Sequence, residues 1–151
     1  MRRYMTNNNN LTYFIGSLIF SLIGGILLLV MDFGGWYAYN GYLGIRTWAY
    51  IGLNELPAGL LFIIPALFLF YCTWISLKAL QNTNITPNKN SIRLGFYLSI
   101  VVFLLALIGG IIFILTLGDV TDWWFDGGFY GGLLGGLFTS IFMYFTLKSM
   151  N

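Results

Sequence analysis

The sequence predicts an all-α membrane protein, a four-transmembrane-helix bundle with a small aromatic β-hairpin or sheet on its outer face. Of its 151 residues, 58% are hydrophobic and 19% aromatic, while only 8% are charged, against roughly a quarter in an average soluble domain. Four apolar runs of twenty-odd residues have uncharged interiors, and each is long enough to cross ~30 Å of hydrocarbon. The segments between them are too short to form independent soluble domains, so residues 1–151 are expected to make a single integral membrane domain.

The first span is read as Leu11 to Met31. Arg2 and Arg3 precede it as a signal peptide's basic region would, but the apolar run is too long and no small-x-small cleavage site follows, so it is expected to stay as a helix. The next segment, Trp36 to Ile45, sets Asn40-Gly41 between aromatic runs. Asn-Gly is the strongest short hairpin signal, because a type I′ turn needs positive φ at both central residues. Thr47 to Ile51 supplies a candidate third strand, and the alternative is an interfacial Trp/Tyr belt without a sheet. Trp36, Tyr37, Tyr39, Tyr42 and Trp48 are therefore candidate outer-face interaction residues, joined by Trp123 and Trp124 from the last connector.

Pro57 to Lys78 forms the second span and Leu94 to Leu117 the third, with Lys78 at the interface. The lone Cys72 lies inside the second span, where a small apolar packing role is expected. Helical spacing after the third span would gather Asp119, Asp122 and Asp126 near one face as a possible cation rim, although a solvated acidic edge needs no ion. No metal or other cofactor is expected. The fourth span, Gly127 to Leu147, opens with two interleaved rows, Gly127, Gly131 and Gly135 beside Gly128, Gly132 and Gly136. Such rows let backbones approach, and close packing drives helix association in lipid. Ser17, Ser21 and Gly25 on the first span, and Ala106 with Gly110 on the third, are the matching small-residue stripes. The seam they form lies either within the bundle or between copies of the chain.

Ile23-Gly24-Gly25-Ile26 matches Ile108-Gly109-Gly110-Ile111, and Ser76-Leu77-Lys78 parallels Thr146-Leu147-Lys148. Two helical hairpins of like orientation follow, with a repeat axis along the membrane normal; duplication and convergence of apolar helices both account for the matches.

Charge sets the orientation. Arg2, Arg3, Lys78, Lys89, Arg93 and Lys148 flank one face; Arg46 and all five acids, Asp32, Glu55, Asp119, Asp122 and Asp126, fall on the other. Lys and Arg beside spans are held in the cytoplasm, so both termini are expected there, and the sequons at Asn10 and Asn84 should stay unglycosylated. The net charge of +2 gives no case for nucleic-acid binding.

There is no histidine, which removes imidazole metal centres and Ser-His catalysis within this chain. No ionisable acid or base occupies the centre of a span, as a proton-coupled transporter would require. Leu117-Gly118-Asp119 is only part of an intramembrane aspartyl protease motif, and no second buried aspartate is present to share a proton.

The layout resembles the claudin and peripheral-myelin-protein-like tetraspan superfamily. The cues are Gly24-Gly25 before an aromatic outer segment at Trp36, Gly41-Tyr42-Leu43-Gly44 with Trp48 in the same loop, and Trp123-Trp124 with Phe129-Tyr130 leading into a glycine-rich helix. The paired outer cysteines of claudins have no counterpart. The resemblance implies four helices with cytoplasmic ends and a strand-bearing first outer loop. The expected function is that of a non-enzymatic tetraspan of the cell membrane, acting in structural organisation, self-assembly or partner binding through its outer face and glycine seam. Its expected partners are the lipid bilayer and a second copy or another membrane protein. The alternatives are a small oligomeric cation channel, with the outer acids at its mouth, or an accessory subunit of a larger membrane complex.

Overall fold

The protein is seen in a computed structural model that describes residues 8–40, 45–51, 59–81, 88–117 and 122–150, with side chains omitted for 8, 9, 38–40, 45–51 and 60. Four helices dominate: α1 (Asn8–Val30), α2 (Leu60–Gln81), α3 (Lys89–Thr116) and α4 (Gly127–Ser149). Between α1 and α2 lie β1 (Gly34–Asn40) and β2 (Ile45–Ile51), and β3 (Asp122–Phe125) precedes α4. All four helices are long and apolar enough to cross a membrane.

The helix ends differ from the apolar runs for local reasons. α3 starts at Lys89, five residues before its apolar run, because Asn88 caps it, accepting a hydrogen bond from Asn90 N at 3.1 Å. α2 and α4 run past Lys78 and Lys148 to Gln81 and Ser149. α4 begins at Gly127, where Asp126 is the N-cap and its carboxylate accepts from Gly127 N at 2.6 Å. From Asp126 to Lys148 the helix rises roughly 33 Å at ~1.5 Å per residue, a match to ~30 Å of hydrocarbon.

α1 packs on α2 and α4, and α3 packs on the same two helices, so the order around the bundle is α1, α2, α3, α4. One end holds the start of α1, the end of α2, the start of α3 and the end of α4; the other carries the sheet. Three apolar layers fill the interior. Phe14, Cys72, Ile75, Ile92 and Met143 lie toward the termini; Leu28, Ala66, Leu69 and Val102 occupy the middle. Phe33, Phe113, Leu117 and Phe129 lie under the sheet.

Polarity is sorted opposite to that of a soluble bundle. Ser17, Ser21, Ser76, Ser99, Thr139 and Thr146 are fully buried, while α3 exposes Leu104, Leu105, Ile108, Ile111, Ile112 and Leu115. A surface of bare Leu and Ile around a core holding hydroxyls is the arrangement a hydrocarbon solvent favours, since in lipid the apolar face needs no cover. The chain thus fits a multi-pass integral membrane protein.

The sheet has the order β2-β1-β3, both pairings antiparallel. Its register corrects the expected hairpin. A two-residue Asn40-Gly41 turn would pair Tyr39 with Tyr42; instead Asn40 pairs with Ile45 and Tyr39 with Arg46. Asn40 is the last residue of β1, and the connector 41–44, with Tyr42, lies outside the described residues. Thr47 to Ile51 belongs to the second strand of the hairpin, and the third strand comes from Asp122–Phe125. An aromatic Trp-Trp-Phe run suits a pleated, half-buried surface better than a helix turn.

Candidate functional site

The glycine rows of α4 face two different helices, and both are filled by this chain. A Cβ built on Gly131 would lie 2.6 Å from Leu27 Cβ and 3.0 Å from the Gly24 carbonyl oxygen, and one on Gly135 would lie 2.9 Å from Gly24 Cα. Gly127 closes the same row against Met31. In the other row, a Cβ on Gly132 would meet Ala106 Cβ at 3.0 Å and one on Gly136 would meet Phe103 N at 2.6 Å, both on α3. Gly128 lies against the backbone of Met31 and Asp32. The first row therefore makes the α1/α4 seam and most of the second the α3/α4 seam.

The small-residue stripe on α1 points elsewhere. Ser76 Oγ donates to Ser17 Oγ at 3.1 Å and also lies 2.9 Å from the Cys72 carbonyl. Ser21 Oγ and Thr73 Oγ1 are 2.8 Å apart. With Gly25 against the Phe70 ring, the Ser17, Ser21 and Gly25 stripe is the α1/α2 contact, cross-linked by hydroxyls. The α4-facing row of α1 is its neighbour, one residue earlier. Gly16 receives the Phe142 ring, Phe20 packs on Phe138 with centroids 4.6 Å apart, and Gly24 meets α4 backbone. Gly24 and Gly16 are thus seam residues that the stripe reading passed over; the sequence signal was the Gly24-Gly25 pair, whose two members serve different helices. On α3, Gly110 lies against the Phe129 ring, whereas Gly109 meets Phe33 in the connector after α1. The two halves thus share a layout, but their matched glycines meet different partners.

The sheet divides the aromatic candidates by strand alternation, because successive side chains point to opposite faces. Trp36 and Trp123 are register partners on one face with Phe125. All three have rings within 6.2 Å of Phe113, so this face rests on the bundle. Phe125 stacks on Phe129 at 3.9 Å, and Phe33 makes edge contacts with Phe113, Phe125 and Phe129. Gly34 is required here: its Cβ would lie 2.8 Å from the Trp124 carbonyl and 3.0 Å from the Phe113 ring. Two backbone bonds complete the join, Asp126 N to the Phe33 carbonyl at 3.0 Å and Gly128 N to the Asp32 carbonyl at 2.9 Å. Trp36 is half-buried in this join, and Trp123 is 38% exposed at its margin.

The other face holds Tyr37 and Trp124, both half-buried. The register sets Trp48 opposite Tyr37 and Tyr50 opposite Gly35, which itself pairs with Trp124. Tyr39 is in the same strand; the side chains of Tyr39 and Trp48 lie outside the described residues.

The acidic residues of the last connector are placed differently from the helical arrangement expected. Asp122 is exposed in β3 and Asp126 caps α4, while Asp119 lies outside the described residues. Residues 122–125 are extended, so Asp122 and Asp126 do not share the helical face that the spacing predicts.

Searches of protein-family models, curated proteins and solved structures return no match for this chain.

Proposed function

We propose that the chain is a non-enzymatic tetraspan of the cell membrane that binds another membrane protein, or a second copy of itself, through its sheet-capped end. The observation that carries this reading is the construction of the cap. The Phe33, Phe113, Phe125 and Phe129 cluster seats β1 and β3 on the bundle, with β2 paired to β1, and a preorganised surface binds with less ordering cost than a loose loop. Aromatic residues are the ones enriched at binding hot spots. The glycine rows of α4 have their partners inside the chain, which leaves the cap as the favoured contact surface. The resemblance in layout to claudin-like tetraspans favours the same assignment; service as an accessory subunit of a larger membrane complex is the alternative.

A photo-crosslinking residue placed at Tyr37 tests it in the native membrane, with Ile111 on the lipid-facing side of α3 as the comparison. Discrete crosslinked protein bands are expected from position 37 and absent from 111. Bands of equal yield at both sites, or at neither, would overturn the reading.

A further inference from the structure

The end of the bundle opposite the sheet repeats one arrangement on three helices. Trp74 and Lys78 on α2, Tyr97 and Arg93 on α3, and Tyr144 and Lys148 on α4 are aromatic and basic residues four apart, hence on one helix face. α3 runs opposite to α2 and α4, and its pair is reversed in sequence, so in every case the base lies one turn nearer the end of the bundle than the ring. All six are exposed, with Trp74 at 55%, Tyr97 at 56% and Tyr144 at 49%. Lys78 Nζ sits 4.7 Å from the centre of the Trp74 ring.

The α3 and α4 pairs flank one groove. Gly95 faces Met143, Ala106 faces Gly132 and Gly110 faces Phe129, an antiparallel register that sets Lys148 level with residues 90–91. Arg93 then lies roughly 4 Å from that level along the axis, at ~1.5 Å per residue, within reach of a shared ligand for two long side chains. Phe96 lies between the walls, with ring centroids 5.5 Å from Tyr97 and 6.0 Å from Tyr144. Among the described residues the acids Asp32, Asp122 and Asp126 all lie at the sheet end, so no described carboxylate side chain competes here.

We propose that this groove binds an anionic phospholipid, with its phosphate between Arg93 and Lys148 and its glycerol and upper acyl chain along Tyr97, Phe96 and Tyr144. Two cations one turn outside three rings match a headgroup above hydrocarbon, and basic pockets between spans favour anionic headgroups. An acidic peptide would satisfy the cations but would not occupy the rings at acyl depth. The proposal rests on the helices being membrane spans.

The test is native mass spectrometry of the full chain in detergent, offered equal amounts of phosphatidylglycerol and phosphatidylcholine with the same acyl chains. At about a five-fold gain per cation, the wild type should prefer the anionic lipid about twenty-five-fold. Arg93→Gln and Lys148→Gln should each lower the preference about five-fold, and the double variant should nearly abolish it. Arg93→Lys with Lys148→Arg should keep it, and Lys78→Gln, outside the groove, should change it less than about two-fold. Millimolar inorganic phosphate should not displace the lipid. Absence of a wild-type preference, its persistence in the double variant, or an equal loss in Lys78→Gln would overturn the site; circular dichroism confirms that each variant is folded. A chain washed from phosphatidylcholine vesicles by alkaline carbonate would instead refute the spans themselves.

Discussion

Replacing Gly136 with Ala probes the bundle where two helix backbones lie in close contact. The new Cβ would lie 2.6 Å from Phe103 N, 2.9 Å from the Ser99 carbonyl oxygen and 3.0 Å from Phe103 Cα. All three are backbone atoms, so no side chain can rotate away. Ordinary contact near ~3.5 Å is restored only if α3 and α4 separate by roughly 0.5–0.9 Å, a gap that forfeits a quarter to a half of the dispersion energy between facing atoms. Overpacking of this kind costs about 1–3 kcal/mol, partly offset by the ~1 kcal/mol that Ala gains over Gly in a helix. Gly95→Ala has the same helical gain, but its Cβ would meet Ile75 Cδ1, Met143 Cε and Cys72 Sγ at 3.4, 3.5 and 3.6 Å, ordinary contact with side-chain atoms. Gly136→Ala should therefore be destabilised by up to about 2 kcal/mol and Gly95→Ala stabilised by about 1. Reversible unfolding in one detergent, followed by far-ultraviolet circular dichroism, measures both. A Gly136→Ala protein as stable as Gly95→Ala would refute the close-packed seam.

Gly131→Leu and Gly135→Leu should disrupt the fold, seen as lost helicity in detergent; a native spectrum with only a changed oligomer size would place the seam between chains. The Ser17 and Ser76 pair should show a coupling of about 0.6 kcal/mol in a double-mutant cycle to Ala, the average for hydrogen bonds between membrane helices, and a coupling of zero would remove the hydroxyl link. Asp126→Ala should cost about 1 kcal/mol through loss of the α4 cap, whereas Asp126→Asn should cost little because Asn caps equally well; equal losses would assign the effect to charge. Cysteines introduced at Lys148 and at Trp123 should react with an impermeant reagent from opposite sides of the membrane, with 148 cytoplasmic, and Asn10 and Asn84 should remain unglycosylated.

The helices were legible because twenty-residue apolar runs have few alternatives in lipid, and residues such as Lys78 and Lys89 shift only where each helix stops. Which glycine meets which helix was less legible. A stripe at i, i+4 identifies small residues but not the neighbour they face, and a shift of one residue from Gly24 to Gly25 turns about 100° around the helix, from α4 to α2. The sheet was legible as aromatic composition near Trp36. Its third strand was not, because the pairing of β1 with Asp122–Phe125 spans more than eighty residues, and no local pattern encodes that partner. The aromatic candidates were found as a group, but their division into bundle-facing Trp36 and Trp123 and opposite-facing Tyr37 and Trp124 needed the register. The ring-and-base pairs at the other end were visible as spacing in the sequence, and they acquire meaning once the helix directions show the same order three times.

The join between β3 and β1 has a bearing on biosynthesis. β1 leaves the ribosome about eighty residues before β3, so through the insertion of α2 and α3 its β3-facing edge waits unpaired. The segment that follows Leu117 then delivers the missing strand, the capping aspartate and both glycine rows together. A chain halted before that segment keeps three spans but has neither a closed sheet nor the faces that pack α1 and α3 on α4. Such a product would have an open strand edge and bare seams, so closure of the whole fold waits on its last segment.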